Sequence, residues 1–167
     1  ANGAAGIVVS KVGTYPIHRS ELLDLWHSYK HSVQSKPLYS KEEMKQLITQ
    51  WQNKGETVVF TNGCFDILHR GHITYLQEAA QLGDHLIIGL NSDASVRRLK
   101  GETRPIVREE DRAALLSALR CIDGVVLFEE DTPAELLAYL RPNTLVKGGD
   151  YKIEDIIGRE SVEHVEV

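Results

Sequence analysis

The sequence has few cysteines, no long apolar segment and no excess of basic residues, and each absence excludes a class of protein. Its two cysteines, Cys64 and Cys121, are too few for a disulfide framework and fit a reducing compartment. No apolar run approaches the roughly 20 residues that a membrane-spanning helix needs. The formal net charge of −5 argues against a general nucleic-acid-binding protein, which is normally basic. We therefore expect a cytoplasmic protein that has neither nucleic acid nor a membrane as its partner.

The composition and the order of the apolar segments predict one α/β domain with a substantial core. Hydrophobic residues make up 42% of the 167 residues, which is typical of a globular protein. Strand patterns at 57–61, 85–90, 125–128 and 144–146 alternate with helix patterns at 40–55, 72–82, 92–99, 109–120 and 132–140. Capping-box patterns mark two of these helix starts, at Ser40–Glu43 and at Thr132–Glu135. The alternation predicts a Rossmann-like parallel sheet with helices on both faces.

Three loops of such a sheet carry residues that are suited to binding a ligand. In open parallel sheets, ligands bind at the carboxyl ends of the strands, near a topological switch point. The loops after the first, second and fourth predicted strands contain the sequences HRGH, LNSD and KGGD. We therefore expect the functional site to be assembled from these three loops.

One stretch, Thr57–Tyr75, combines a strand, a loop and the start of a helix. Its apolar run at 58–60 predicts a strand that is covered on both faces. Asn62 and Gly63 are then expected to break the strand. Gly63 also has no Cβ, so a ligand can approach the backbone closely at this position.

The helix after this loop offers a site for phosphate. Gly71 allows the backbone to turn into a helix that is expected to begin at His72. The first N–H groups of a helix are unpaired and carry a partial positive charge, so they attract phosphate. His69 and His72, in the pattern His-Xaa-Gly-His, would lie beside the same anion. We interpret the stretch as a phosphate-handling centre.

Two simpler explanations of the histidine pair are open at this point. A His-Xaa-Xaa-His pair also binds zinc, with Cys64 and Cys121 as conceivable further ligands. Zinc sites usually have closely spaced ligand pairs, however, and neither cysteine has another cysteine near it in the sequence. The histidines could equally be ordinary capping or surface residues, although the neighbouring glycines and the helix start favour a phosphate site.

The pattern GCFDILHRGH resembles the signature G-x-F-D-x-x-H-x-G-H of the cytidylyltransferase-like nucleotidyltransferases, where it marks the nucleotide site. The resemblance continues through LNSDASVRRLKGETRP, EEDRAALLSALRCIDGVV and LVKGGDY. This ordered set is most similar to the adenylyltransferase domains of bifunctional heptose-phosphate kinase/adenylyltransferases of lipopolysaccharide precursor synthesis. It implies a nucleotidyltransferase domain at 36–167, while 1–35 resembles the tail and linker of a ribokinase-type kinase domain.

The resemblance also implies an activity and a set of partners. The expected enzyme joins ATP and D-glycero-β-D-manno-heptose 1-phosphate to give ADP-heptose and pyrophosphate, with Mg²⁺ accompanying ATP. A covalently linked kinase domain is implied, and a homodimer is one candidate assembly. A cytidylyltransferase that acts on glycerol 3-phosphate shares the histidine pattern and is the first alternative. A catalytically silent nucleotide-binding module is the alternative from another class.

The candidate catalytic residues follow from the chemistry of nucleotidyl transfer and from the resemblance. The nucleophile is an ionised phosphate, so catalysis is mainly positioning and charge stabilisation. His69 and His72 are the candidates for hydrogen bonds to the α- and β-phosphates. Lys100 and Arg112 match positions that contact phosphates in the resembled family. Asp111 is expected to orient Arg112 or to cap its helix.

The nucleotide pocket is expected to be formed largely by backbone groups and by the turns that follow the strands. The expected binding residues are Asn62, Gly63, Cys64, Phe65, Asp66, Gly71, Asn91, Asp93, Lys147, Gly148, Gly149 and Asp150. Asp66 either holds its loop or contacts the acceptor sugar, and Asp150 either accepts from a ribose hydroxyl or stabilises its turn. No dedicated carboxylate cage is visible, so Mg²⁺ would be held chiefly by phosphate oxygens and water.

The end of the chain departs from the resembled family. Family members continue past the region of Val167 into a Ser/Thr-rich turn, which opens a final helix and helps to bind the triphosphate. The last segment here, IEDIIGRESVEHVEV, contains no Ser-Thr pair. We therefore expect a nucleotidyltransferase domain that is truncated at its C-terminus and that binds nucleotide more weakly than an extended form.

Overall fold

The computed structural model describes residues 38–149, 152, 154 and 156–167. The predicted kinase-type tail and linker at 1–35 lie outside the described residues, as does Asp150 with its expected ribose contact. Within the described part of the chain, no helix is both long enough and apolar enough to cross a membrane.

Strands and helices alternate along the described chain. The strands are β1 (Leu38–Tyr39), β2 (Val58–Gly63), β3 (His85–Asn91), β4 (Gly124–Phe128), β5 (Thr144–Val146) and β6 (His164–Glu166). The α-helices are α1 (Lys41–Asn53), α2 (Arg70–Ala79), α3 (Asp93–Lys100), α4 (Glu109–Ser117) and α5 (Ala134–Leu140). Short 3-10 helices lie at Ala80–Leu82 and Arg159–Ser161.

The described strands form one parallel sheet in the order β1-β4-β3-β2-β5-β6. From β2 the chain runs outward through β3 to β4, and it then crosses back to the other side of β2 to form β5. The direction of winding therefore reverses at β2, and the carboxyl end of this strand borders a topological switch point. The predicted Rossmann-like α/β fold is confirmed.

Apolar clusters on the two faces of the sheet form the core. Val58 and Phe60 of β2 belong to one cluster, together with Met44 of α1. Val59 belongs to the other cluster, together with Leu76 of α2. Each of these fully buried side chains contributes about 1.5–3 kcal/mol relative to an exposed position. Because both faces are covered, this part of β2 is apolar at every position instead of alternating.

Strand β2 is longer than the sequence predicts. The sequence pattern ends the strand at Thr61, whereas Asn62 and Gly63 continue the ladder and pair with Gly89 and Leu90 of β3. Pairing with a long neighbouring strand outweighs the weak strand preference of asparagine and glycine. The two residues expected to break the strand are therefore part of the sheet.

Helix α2 begins earlier than the sequence predicts. Its first residue is Arg70, and His69 is the N-cap residue with an extended backbone conformation. His72, expected as the first helical residue, is instead the third. The glycine that was expected to lead into the helix already lies within its first turn, because the side chain of His69 caps the helix before it.

Capping patterns predict the other helix ends with mixed success. At the start of α1, Ser40 Oγ accepts from the Glu43 N–H at 3.1 Å, and Glu43 Oε2 accepts from the Ser40 N–H at 2.8 Å. This capping box is confirmed. The second predicted box is wrong, because Pro133 is the N-cap residue of α5 and no side chain caps that end. Helix α4 ends at Ser117, whereas the sequence pattern extends it to Arg120.

The sequence pattern misses both edge strands of the described sheet. Strand β1 has 2 residues and β6 has 3, which is too short to show an alternating pattern. Strand β1 pairs with β4, and β6 pairs with β5. These edges form because a neighbouring strand offers unpaired backbone groups, and that information is not local.

Replacing Ser40 with alanine removes one half of the capping box of α1. We expect the free energy of unfolding to fall by about 0.5–2 kcal/mol, the usual cost of losing such a cap. Chemical denaturation measures the change. Gln46→Ala is the control, because Gln46 is exposed on the same helix and its side chain has no described hydrogen bond. Equal losses in both variants would contradict the role of the cap.

Candidate functional site

A cleft of about 800 Å³ lies where the carboxyl ends of β2 and β5 meet the N-terminus of α2. We name it the first cleft. The sequence-predicted residues that line it are Asn62, Gly63, Cys64, Phe65, His69, Gly71, His72, Lys100, Lys147, Gly148 and Gly149. The predicted residues that do not line it are Asp66, Asn91, Asp93 and Arg112. The switch point of the sheet therefore brings together most of the expected set.

The two histidines of the His-Xaa-Gly-His pattern cap α2 and line the first cleft at the same time. His69 Nδ1 accepts a hydrogen bond from the Gly71 N–H at 3.1 Å, and His72 Nδ1 accepts one from the His69 N–H at 3.4 Å. The two rings stack with centroids 3.9 Å apart and an interplanar angle of 26°. Capping and facing an anion site, which the sequence presents as alternatives, are combined in the same side chains.

The capping bonds determine which ring nitrogen is available to a ligand. A neutral imidazole whose Nδ1 accepts a hydrogen bond carries its proton on Nε2. Each ring therefore has an Nε2–H group available as a donor. Burial lowers the pKa of His72, and the nearby His69 and Lys100 side chains lower this pKa further. His72 is consequently neutral at pH 7, as its capping bond requires.

Lys147 brings a positive charge to the switch point. It follows β5 directly, and its ammonium group contacts Oδ1 of Asn62 at the end of β2. Burial lowers the pKa of Lys147 to about 8, so the side chain is mainly protonated at pH 7. Lys100, at the end of α3, lines the same cleft and is exposed. Lysines, imidazole donors and a helix N-terminus therefore converge on one anion-binding region.

The first cleft also contains residues that the sequence analysis does not select. They are Arg70, Thr74, Tyr75 and Glu78. The Tyr75 hydroxyl lies 2.7 Å from Thr61 Oγ1 of β2 and donates to the Val146 carbonyl of β5 at 3.1 Å, so it ties the two strands together. Burial raises the pKa of Tyr75. The helical period could have predicted Tyr75, because residues three apart on a helix, such as His72 and Tyr75, share one face.

The two glycines after Lys147 are needed for different reasons. A Cβ on Gly148 would lie 2.9 Å from Cε2 of Tyr75, so any larger residue would collide with the ring. Gly149 has a φ of +91°, which strains other residues, and nothing lies within 4 Å of the position of its Cβ. The open space beside Gly149 leaves room for a ligand, and its place in the nucleotide pocket stays a prediction. Gly148 is required by protein packing alone.

Arg112 does not line the first cleft, and its guanidinium contacts protein groups. Its guanidinium is fully buried and donates to the carbonyls of Val107 at 2.9 Å, Cys64 at 2.6 Å and Asn91 at 2.8 Å. Oδ1 of Asp93 lies 2.7 Å from Nη2 and balances the charge. With these donors occupied, Arg112 holds together the loop after β2, the end of β3 and the loop before α4.

Asp66 holds its loop in this structure, while its contact with an acceptor sugar stays a prediction. Its carboxylate is 6% exposed and accepts from Arg104 Nη1 at 2.6 Å. It also accepts from the N–H groups of Ile106 at 2.7 Å and Val107 at 3.1 Å. Burial alone would raise the pKa of Asp66, but these hydrogen bonds outweigh it and lower the pKa overall. Asp66 therefore stays ionised and ties the loop before α4 to the loop after β2.

Asn91 and Asp93 also have scaffold contacts instead of places in the first cleft. Asn91 is buried, and its side-chain amide donates to Ser95 Oγ at 3.0 Å. Asp93 is paired with Arg112. Asp111, which was expected to orient Arg112 or to cap its helix, is exposed in the first turn of α4, where no side chain caps the helix. Its charge suits the positive end of the helix there, and Asp93 performs the orienting role.

The described residues contain no cluster of three or more His, Cys, Asp or Glu side chains that could hold a metal ion. Two carboxylates close to the strand ends, Asp66 and Asp93, are already paired with arginines. Both Nδ1 atoms of the histidine pair accept backbone hydrogen bonds. In this part of the chain, the zinc alternative therefore has no ligand set.

A helix N-terminus, imidazole donors and lysines at the switch point of a parallel sheet define a class of protein, the α/β domains that bind nucleotide phosphates. Residues 60–166 match the model of the Cytidylyltransferase-like family. The chain belongs to this family, and the resemblance of its motifs is confirmed.

Curated relatives and a solved structure extend this assignment. The chain is 48% identical over 167 residues to the bifunctional protein HldE of Wolinella succinogenes, covering 100% of this chain and 35% of that protein. It is 52% identical over 163 residues to the bifunctional protein HldE of Syntrophotalea carbinolica, covering 98% and 33%. The chain thus spans about a third of the length of these relatives. The crystal structure of the lipopolysaccharide core biosynthesis protein from Thermoplasma volcanium is 32% identical with a TM-score of 0.55, covering 68% of this chain and 97% of that chain.

Replacing Arg112 with methionine removes the buried guanidinium but keeps a long side chain. We expect the free energy of unfolding to fall by about 3–5 kcal/mol, because Asp93 loses its counter-charge and the loop carbonyls lose their donor. Arg97→Met is the matched control, since Arg97 is exposed on α3 and its side chain has no described contact. Chemical denaturation compares the two variants. A loss below about 1 kcal/mol for Arg112→Met would contradict its scaffold role.

Proposed function

We propose that this domain is an adenylyltransferase that joins ATP to D-glycero-β-D-manno-heptose 1-phosphate in lipopolysaccharide core precursor synthesis. Its products are ADP-heptose and pyrophosphate. The observation that carries the proposal is the convergence of His69, His72 and Lys147 on the anion-binding region of the first cleft. The choice of substrates comes from the resemblance of the motifs. The relatives named HldE support it because they are 48% and 52% identical to this chain over 100% and 98% of its length.

The reaction needs no base to activate its nucleophile. An ionised oxygen of the acceptor phosphate attacks the α-phosphorus of ATP and forms a new P–O bond. The bond between the α-phosphorus and the oxygen that bridges to the β-phosphate breaks, and pyrophosphate leaves with the electron pair. Atoms and charge therefore balance without a proton transfer. Catalysis then depends on positioning and on stabilising negative charge in the transition state.

The first turn of α2 is the proposed source of this stabilisation. The Nε2–H groups of His69 and His72 would hydrogen-bond oxygens of the α- and β-phosphates. The N–H groups at the helix start add further donors and a partial positive charge. Lys100, exposed at the edge of the cleft, would attract the outer phosphates of ATP. Neutral His72 can act as a donor throughout, because its proton on Nε2 is retained.

We propose that Mg²⁺ enters as part of the ATP substrate. This ion prefers oxygen ligands and keeps several waters, so phosphate oxygens can hold it without a protein cage. Among the described lining residues of the first cleft, only Glu78 carries a carboxylate. The histidines and lysines of the first cleft are suited to binding the phosphates to which Mg²⁺ would be coordinated.

We also propose that 36–167 is the nucleotidyltransferase domain of a bifunctional enzyme and that 1–35 is the tail and linker of a kinase domain. The relatives are named as bifunctional proteins, and this chain spans about a third of their length. Both facts support a linked further domain. The proposed compartment is the cytoplasm, where ATP is available. A homodimer stays a prediction.

Pyrophosphate release from the full-length protein tests the proposed function. Each of the four common nucleoside triphosphates is paired with heptose 1-phosphate or with glycerol 3-phosphate. We expect ATP with heptose 1-phosphate to be used best, by about tenfold or more in kcat/KM. Turnover of CTP with glycerol 3-phosphate would replace the proposal with the cytidylyltransferase alternative. Nucleotide binding without turnover in any pair would favour the silent module.

Replacing His69 with asparagine separates its two roles. Asparagine is a good N-cap residue, so α2 should keep its cap and the protein its stability. The variant lacks the Nε2–H donor, and we expect kcat to fall by about 10²–10³-fold. His69→Ala removes the cap as well and should also lower the melting temperature. Gln77→Ala, exposed on the same helix, is the control. Near-normal kcat in folded His69→Asn would remove His69 from the catalytic set.

A further inference from the structure

A second cleft, of about 390 Å³, adjoins the first cleft. The lining residues common to both are Asn62, Gly63, Cys64 and Lys147. Lys147 is the member of this group that carries a positive charge. Lys147 therefore lines two adjoining clefts, and its ammonium group contacts Asn62, which lines both as well.

The second cleft has a different chemical character from the first. The histidine pair does not line it, and its polar groups come from the ends of β3 and β4. They include the amide of Asn91, the carboxylate of Asp131 and the hydroxyl of Thr132. Such groups form hydrogen bonds with hydroxyls. The first cleft thus suits a polyphosphate. In the second cleft, the Asn91 amide already donates to Ser95 and the Asp131 carboxylate pairs with Arg98. Leu99, Ile156 and Ile157 add apolar lining there, so this cleft suits an uncharged part of a ligand.

The ammonium group of Lys147 is half-buried and has no carboxylate among its described contacts. Its described partner is the neutral Oδ1 of Asn62. By contrast, Lys41 on α1 lies 2.9 Å from the carboxylate of Glu130. Burial without a counter-charge disfavours the protonated amine, and it lowers the pKa of Lys147 to about 8. A phosphate ligand would supply the negative charge that the protein does not place there.

Nucleotidyl transfer brings two anions into contact. The acceptor phosphate and the α-phosphate of the nucleotide repel each other as the attacking oxygen approaches phosphorus. A cation on the boundary between the two clefts attracts both groups at the point where they meet. Such a contact strengthens as negative charge accumulates in the transition state, so it lowers the barrier to reaction.

We propose that Lys147 is a catalytic residue that binds the acceptor phosphate and holds it beside the α-phosphate for attack. The inference rests on the proposed transferase function, and it moves Lys147 from nucleoside recognition to the reaction centre. The new bond joins an acceptor oxygen to the α-phosphorus, and the α–β bridging bond breaks as pyrophosphate leaves. Lys147 keeps its proton throughout. Asn62 is the positioning residue, because its Oδ1 contacts the ammonium group.

Replacing Lys147 with methionine keeps the length of the side chain and removes its charge. We expect kcat to fall by about 10²–10³-fold and the KM of the sugar phosphate to rise. ATP binding, measured by calorimetry without acceptor, should change far less than kcat. Lys147→Arg keeps the charge and should restore about a tenth or more of the wild-type kcat. Lys54→Met is the control, since Lys54 is exposed at the end of α1.

The pH profile of the unmodified protein is a test that does not require any variant to fold. Because the pKa of Lys147 is lowered to about 8, its charge is lost as the pH rises through that value. We expect kcat/KM to fall by about tenfold per pH unit above pH 8.

Variants show whether Lys147 or another residue lining the two clefts causes the alkaline fall in kcat/KM. The other titratable or charged residues that line the two clefts are Cys64, His69, Arg70, His72, Tyr75, Glu78, Lys100 and Asp131. Cys64→Ser should keep the alkaline fall, and Lys147→Arg should move it to higher pH. These two variants together identify the group that is responsible.

The outcomes distinguish this inference from the proposed function. If the unmodified protein is active but Lys147→Met stays within about threefold of its kcat, Lys147 is not catalytic and the proposed function stands. A flat profile between about pH 7.5 and 9.5 overturns the inference in the same way. Loss of ATP affinity alone, with the acceptor parameters unchanged, assigns Lys147 to the nucleotide and also overturns it. If the unmodified protein releases no pyrophosphate with any acceptor, the proposed function fails and the inference fails with it.

Discussion

The guanidinium of Arg112 connects three chain segments, two of which contribute lining residues to the clefts, through Cys64 and Asn91. It donates to carbonyls in the loop after β2, at the end of β3 and in the loop before α4. A buried cation costs several kcal/mol unless it is paired, and Asp93 provides that partner. The planar fork of arginine aims its donors in fixed directions, so it sets the relative positions of the loops. Asp66 adds a second tie through Arg104.

Directional hydrogen bonds and positive charge come from different groups in the first cleft. His69 and His72 are held by backbone bonds of the helix that they cap, and they offer neutral donors at fixed positions. Lys147 and Lys100 supply charge from the ends of β5 and α3. Donors that are already in place need no reorganisation when charge develops on a phosphate. The contacts of Arg112 position the loop after β2 and the end of β3, which contribute lining residues to the clefts.

Elements that depend on contiguous residues are predictable from this sequence, whereas their ends are not. The buried strands follow from apolar runs, and the Ser40 capping box follows from a four-residue pattern. The end of β2 is mispredicted, because Asn62 and Gly63 are kept in the ladder by β3. The start of α2 is mispredicted because His69 is an uncommon N-cap residue. The candidate site is also only partly predictable from the sequence. The motif residues His69 and His72 line the first cleft as expected, whereas Arg112 does not.

By itself, the sequence determines the α/β class, the family and the placing of a histidine pair at a helix start. Local patterns and the order of the motifs are sufficient to predict these properties, because neither depends on contacts between distant residues. Only the tertiary structure decides that Arg112 holds loops and that Lys147 lies between two clefts. The reason is that burial and hydrogen-bond partners come from residues far apart in the chain, as when Arg112 meets the carbonyl of Cys64 48 positions earlier. The role of a charged side chain depends on those partners, because the donors of the Arg112 guanidinium that contact carbonyls and Asp93 hold protein segments in place.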